Sequence, residues 1–301
     1  MGGSWISIIL MALMAIIAVV VAIVAFIVLM VIALVASLIA LLPILILIYL
    51  LILIRPRAKA PEDKSLLCDY AHRGLHGNGV PENSLEAFDL ACKSGYGIEL
   101  DVQLSKDGEV MVFHDTTLDR MTGVEKKLCD LDASELCELK LAGTEQRIPT
   151  FKEVLKLVDG RTPILVELKG ETTDTSLCPK VAELLKEYKG SYCIESFNPY
   201  LIGQMNKLMP DAYRGLLYTN VIRDQKKASP LNIIVTVMGL NFIGKPNFIA
   251  YNEEDRNALP VKIATKLYKA PKVVWTIKSQ ETLDLAHTLG ETPIFEKIDR
   301  E

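Results

Sequence analysis

The first 54 positions of this 301-residue chain contain no Asp, Glu, Lys, Arg or His, and no other feature constrains the fold as strongly. From Ile6 to Ile54 the run is almost wholly Ile, Leu, Val, Ala, Met and Phe. A cleaved signal peptide has roughly 7–15 apolar residues behind a basic start. This run has 49 residues and no basic start, so it does not fit that pattern. One membrane span needs about 20 apolar residues, and a helix of this length would extend about 74 Å against a hydrocarbon core of about 30 Å. Two transmembrane helices joined by a tight apolar turn therefore fit best. The alternatives are one span with an apolar extension, or an in-plane or oligomeric arrangement, including a homo-oligomer built through this region. Pro43 leaves 11 residues before Arg55, so it is expected to kink a second helix rather than separate two. A buried core helix is a poor reading, because no face is polar and the run is too long.

Arg55, Arg57 and Lys59 follow at once, with Pro56 and Pro61 among them. A basic collar beside a span tends to stay in the cytoplasm, which predicts a cytoplasmic C-terminal domain. The same collar also suits anionic lipid head groups. All 33 basic and 37 acidic residues lie in 55–301, and 61–301 holds 30 basic against 37 acidic residues. That balance excludes a strongly basic nucleic-acid binder. Cys68, Cys92, Cys129, Cys137, Cys178 and Cys193 form no CxxC pair and read as small buried hydrophobes rather than a disulfide framework. The expected organisation is a membrane region at 1–54, a basic juxtamembrane linker at 55–65 and one large domain at 66–301.

Within that domain short apolar runs alternate with capped helical patterns. Strands are expected at 66–71, 98–104, 109–114, 163–168, 192–197, 215–218, 247–251, 272–277 and 292–296. Asn83 with Glu86, and Thr150 with Glu153, are spaced as helix N-terminal caps, and Asn198-Pro199 opens another helix. Strand–helix alternation over about 240 residues is the pattern and size of an α/β fold of the TIM (β/α)8 barrel type, whose chemistry sits where strands end.

Unusual residues collect at those ends. His72-Arg73 follows the first strand, Glu99 and Asp101 stand two apart in the second, His114-Asp115 closes the third run, and Glu167 and Lys169 repeat the two-apart spacing. Residues two apart on a strand share a side. Taken singly, each acid has an ordinary reading: Glu99 paired with Arg73, or Glu167 with Lys169. Three carboxylates at inward positions of one barrel would repel one another and lose hydration unless a cation joins them. A hard divalent cation, Mg2+ or Ca2+, suits such oxygen ligands.

The segments AHRG (71–74), PENSLEAF (81–88), GIELDVQLSKDGEVMVFHDTTLDRMTG (97–123), IPTFKEVL (148–155), VELKG (166–170), ESFN (195–198) and WT (275–276) closely resemble glycerophosphodiester phosphodiesterases, over about 66–298. The resemblance implies a TIM barrel that cleaves glycerophosphodiesters to sn-glycerol 3-phosphate and an alcohol. It implies Glu99, Asp101 and Glu167 as metal ligands, His72 and His114 as the catalytic pair, and Arg73 and Lys169 as phosphate contacts. The chain departs from the family in the Gly-rich loop 75–80, where His76 reads as an exposed loop residue or, alternatively, as a third imidazole near the pocket, and in the ending ETPIFEKI.

A phosphodiester is anionic and a poor electrophile, so a metal and cationic side chains lower its barrier by neutralising charge. A glycerol substrate carries its own nucleophile, the 2-hydroxyl. The resemblance implies attack by that group through a 1,2-cyclic phosphate, with one histidine as base and the other as acid; of the two orders, His72 as base and His114 as acid is the one expected here. Phe197 and Trp275 either hold glycerol carbons or an acyl chain at the rim, or pack the barrel end. Three functions fit: hydrolysis of soluble glycerophosphodiesters, a lysophospholipase D acting on membrane lysophospholipids, and an inactive membrane-tethered binding protein.

Overall fold

The computed structural model describes residues 3–170 and 172–296, and divides into two compact units, Met1–Leu51 and Ile52–Glu301. In the first unit the apolar run forms one continuous α-helix, Gly3–Ile48, followed by a π-helical turn at Tyr49–Leu53. The tight turn between two spans is therefore not formed, and Pro43 lies inside the helix. The physical reason is local: after Gly3 the run has no Gly, Asn or Asp to take a turn conformation. The Ser37 hydroxyl donates to the Ala33 carbonyl at 2.8 Å, which satisfies it without water. Trp5–Leu53 is the one helix among the described residues long and apolar enough to cross a membrane.

The second unit is a closed barrel of eight parallel strands. They are β1 (Tyr70–Ala71), β2 (Gly97–Leu104), β4 (Ile164–Leu168), β5 (Tyr192–Ser196), β6 (Tyr213–Tyr218), β7 (Phe248–Asn252), β8 (Lys272–Ile277) and β9 (Thr292–Phe295). Tyr70 pairs with Gly97 on one side and Ile294 on the other, so β1 closes the ring. The run at 109–114 contributes only β3 (Val110–Val112), which pairs antiparallel with β2 outside the ring. The first expected strand shortens to Tyr70–Ala71, because Lys64–Leu66 forms a 3-10 turn. Lys297 and Ile298, the end of the expected last segment, lie outside the described residues.

The strands are buried, as parallel barrels require. Tyr70, Leu165, Cys193, Leu217, Phe248 and Val273 pack together inside the ring. At Gly215 a Cβ would stand 2.0 Å from the Phe248 ring, so only glycine admits that ring. A second cluster, Met111, Phe113, Leu118, Leu128 and Ile148, fills the space between β3 and the excursion after it. Around the ring, Thr150 and Glu153 form the expected capping box of the helix Phe151–Val158. Asn198 caps Pro199–Leu208. Ser84, not Asn83, caps Leu85–Lys93, its hydroxyl accepting from the Ala87 N–H at 3.1 Å. All six cysteines are free; Cys178 and Cys193 are buried as expected, whereas Cys129 is exposed. Residues 55–65 run along the barrel, with the Lys59 N–H donating to the Asn247 carbonyl at 3.3 Å.

Candidate active site

The strand ends converge on one cavity of about 110 Å3. Its walls include His72, Arg73, Glu99, His114, Glu167, Lys169, Phe197 and Trp275, so the structure brings together every site residue expected from sequence except Asp101 on its lining. Asp101 lies beneath, 1% exposed. A wider cleft of about 610 Å3 opens on the His114, Glu167, Lys169 and Phe197 side.

The HRG turn is where β1 ends. Arg73 and Gly74 both take left-handed backbone conformations, with φ of 55° and 80°. A Cβ at Gly74 would meet Ala87 at 2.8 Å, so glycine is required both by φ and by the close helix. This turn aims the Arg73 N–H at Glu99 Oε2, 2.8 Å away. The Arg73 guanidinium lies 2.8 Å from Glu82 and 3.6 Å from Asp101. Asn83, freed from capping, donates to Asp101 Oδ2 at 2.8 Å.

Strand register builds the acidic cluster. Asp101 on β2 pairs with Glu167 on β4, which pairs with Glu195 on β5. Glu99, Asp101 and Glu167 each offer an oxygen within 4.8 Å of the others, and all three are buried. The Lys169 ammonium sits 2.9 Å from Asp101 and 2.7 Å from Glu167. Burial pushes Glu99 well above the ordinary carboxylate range, and the charges of Asp101, Glu167 and Glu195 add to the push. Glu167 is pushed up to about 7, again by burial, against the pull of Lys169. Asp101 is held low despite burial, because Lys169, His114 and Arg73 surround it. The group thus falls short of full ionisation with its own cations alone. Three clustered carboxylates with hard oxygen donors fit a divalent cation, which would restore the charge that burial suppresses.

Both expected histidines face the cavity, each tied to an acid at Nδ1. His72 Nδ1–H donates to Glu296 Oε2 at 2.9 Å, leaving Nε2 4.0 Å from Glu99. His114 Nδ1–H donates to Asp115 at 2.7 Å, and Arg120 links Asp115 to Glu82. Burial lowers both imidazole pKa values. At His72 the bond to Glu296 opposes this; at His114 the charge of Asp101 does. At the rim Phe197 and Trp275 meet edge to face, ring centres 5.6 Å apart. The Trp275 indole N–H donates to the Ala250 carbonyl at 3.1 Å, so this ring is fixed while Phe197 stays 43% exposed.

Sequence reading missed several participants. Glu195 lines the cavity 1% exposed, with Oε2 lacking any partner and burial pushing its pKa well up. Its signal was an acid in an otherwise apolar strand, the pattern that exposed Glu99. Glu296, in the atypical last segment, reaches His72 and lies 3.8 Å from His76 and 3.2 Å from Lys278. Those contacts hold its carboxyl far below the usual range, the His72 bond most of all. His76 is a half-buried neighbour of the cavity rather than an exposed loop residue.

Residues 72–296 match the model of the glycerophosphoryl diester phosphodiesterase family. A glycerophosphodiester phosphodiesterase of Caldanaerobacter subterraneus is 39% identical over 161 residues, which span 49% of this chain and 65% of that protein. The YhdW protein of Bacillus subtilis, named as a glycerophosphodiester phosphodiesterase, is 30% identical over 73% of this chain and 90% of its own length. Lysophospholipase D of Rattus norvegicus is 39% identical over 132 residues, 41% of its length. Among solved structures, the glycerophosphodiester phosphodiesterase of Thermotoga maritima superposes with a TM-score of 0.59 at 28% identity, covering 76% of this chain and 93% of that one. A phosphodiesterase of Oleispira antarctica shares the fold at 23% identity, with a TM-score of 0.63 over 76% of this chain and 92% of its own.

Proposed function

This chain belongs to the glycerophosphoryl diester phosphodiesterase family, and on that premise we propose that it hydrolyses glycerophosphodiesters to sn-glycerol 3-phosphate and an alcohol. One observation carries the reading: two acid-oriented imidazoles, two cationic side chains and three clustered carboxylates line or underlie a single small cavity. Glu99, Asp101 and Glu167 would hold a divalent cation, Mg2+ or Ca2+, which when bound neutralises phosphate charge and sharpens the phosphorus as an electrophile. Arg73 and Lys169 bind the non-bridging oxygens and orient the diester. The contact with Glu296 keeps the proton of His72 on Nδ1, so Nε2 presents a lone pair to the cavity. Its lowered pKa keeps it neutral near pH 7, as a base must be. Nε2 takes the proton of the substrate 2-hydroxyl as that oxygen attacks phosphorus, and His114 in its doubly protonated form, with Asp115 on Nδ1–H, gives its Nε2 proton to the departing alcohol. Water then opens the 1,2-cyclic phosphate with the roles reversed.

The reading is tested with a 2-O-methyl analogue of glycerophosphocholine. It should still bind, while its turnover falls by several decades, since effective molarities of well-placed intramolecular nucleophiles reach about 10⁵ M. Rapid cleavage of the analogue would instead mean direct attack by water. EDTA should abolish turnover of the parent diester and Mg2+ or Ca2+ restore it; indifference to EDTA would remove the metal from the reading.

A second substrate class, lysophospholipids, is favoured by the exposed Phe197 beside Trp275, an apolar rim on the polar cavity. Lysophospholipids keep the free 2-hydroxyl, so the same chemistry serves. The Arg55, Arg57 and Lys59 collar supports a membrane-tethered barrel on the cytoplasmic side. Protease added to intact cells should then leave the barrel uncut. Assembly through the apolar helix is part of the same proposal, and cross-linking in membranes reads it directly.

A further inference from the structure

The connection from β6 to β7 carries a helix turned inside out. In Pro230–Thr236 the polar Asn232 is buried, its side chain donating to Gln225 Oε1 at 3.0 Å and to the Lys227 carbonyl at 2.8 Å. Leu231, Ile233 and Ile234 are instead 63%, 47% and 43% exposed, and Phe242 farther along is 41% exposed. Four large apolar side chains exposed on one connection mark a contact site. The helix is held at the catalytic end of the barrel. The hydroxyl of Tyr218, the last residue of β6, donates to the Thr236 carbonyl at 3.0 Å.

Two further observations say what meets this face. Lys226 and Lys227 border it, both exposed, and no ion pair engages either among the described residues. Arg223 nearby is already taken by Asp224 and Asp255. Apolar side chains flanked by unpaired lysines match the acyl and anionic head-group layers of a bilayer. Second, the same connection binds the residue where the apolar run ends. The Asn241 side chain donates at 2.6 Å to the carbonyl of Ile54, itself fully buried in the barrel unit. The barrel unit's chain therefore begins beside this connection, where the apolar run ends.

We propose that Leu231, Ile233, Ile234 and Phe242, flanked by Lys226 and Lys227, form a docking surface that inserts into the interface of an anionic bilayer and opens the catalytic end of the barrel to lysophospholipids lying in it. Docking stands on the surface alone. The substrate class rests on the diesterase reading given above.

The test uses the full chain in nanodiscs of phosphatidylcholine and phosphatidylserine, where both bilayer faces are open to solution. Ile233→Trp adds an indole whose emission is read as the difference from the parent chain, which already carries Trp5 and Trp275. Lipids brominated near the glycerol end should quench that difference signal, and aqueous iodide should not. Lys226→Glu with Lys227→Glu should weaken the bromolipid quenching. Quenching by iodide but not by bromolipid would overturn the proposal. Protection from both would overturn it equally, since it would mean that a protein covers the face. Independently, Leu231→Ser with Ile234→Ser should lower turnover of lysophosphatidylcholine in the disc by about tenfold or more, the scale of two partly inserted aliphatic side chains lost, with soluble glycerophosphocholine turnover unchanged. An equal fall for both substrates would overturn lipid presentation. If the parent chain cleaves neither substrate, the diesterase reading fails, and docking is decided by quenching alone.

Discussion

The barrel has a cleft at each end, and the two differ in everything but size. At the strand starts a cleft of about 570 Å3 is lined by Arg57, Lys59, Tyr192, Tyr213 and Asn247, among others. Beside it Arg214 is fully buried; the Met209 and Ala212 carbonyls accept from one terminal nitrogen and Asn206 Oδ1, at 2.7 Å, from the other, while Nε has no partner. At the strand ends a cleft of similar volume reaches Glu167, behind which Glu99, Asp101 and Glu195 crowd together, Glu195 with an oxygen that has no partner. Volume does not distinguish the two. A lone buried charge held by neighbouring carbonyls is structural, and several like charges buried together short of counter-charge are built for a ligand.

That contrast breaks most sharply at the acids. Asp101→Asn should lower kcat roughly 10³-fold, the range of lost electrostatic stabilisation, and abolish metal uptake read by calorimetry. The melting temperature should fall, since Lys169, Arg73 and His114 hold Asp101 ionised and would lose that counter-charge. Unaltered metal affinity would return the cluster to the same standing as Arg214. Next in size is Glu296→Gln, which leaves the metal ligands intact but no longer dictates the His72 tautomer. A loss on the order of 10² in kcat is expected, as for an impaired general base, with KM little changed. Equal losses in kcat and in folding stability would make Glu296 merely structural. At the opposite end Arg214→Met should leave the Met209 and Ala212 carbonyls unsatisfied and cost about 2 kcal/mol of stability, while kcat at a temperature well below melting stays as in the parent. A catalytic defect without destabilisation would erase the distinction between the two ends. The smallest effect belongs to the rim. Phe197→Leu should change KM for soluble glycerophosphocholine by about twofold to threefold, since it trims half-exposed apolar contact, and an assay with lysophosphatidylcholine should show the larger change.

Local pattern made much of this legible. Glu99 and Asp101 two apart on a strand, and the Thr150–Glu153 capping box, are properties of a few consecutive residues, and the structure keeps them as read. Misreadings arose where a residue had a better partner elsewhere. Asn83 looked like a cap because caps are local, but Asp101, 18 residues on, outcompetes the helix terminus and leaves Ser84 to cap it. The two-span expectation came from comparing length with bilayer thickness, an external constraint; the apolar run has no Gly, Asn or Asp after Gly3, and the helix runs on.

By itself the sequence determined the apolar helix, the alternation that makes a parallel barrel, and the identities of the carboxylates, histidines and cations at its strand ends. Those follow from side-chain chemistry and from periods of two and 3.6 residues. Only the tertiary structure decided that Asp101, Glu167 and Glu195 stand in one register row, that Glu296 reaches across 224 residues to orient His72, and that the helix after β6 turns its aliphatic side chains outward. Closing a barrel brings its last strand against its first and sets the register between neighbours, and no local period encodes either pairing.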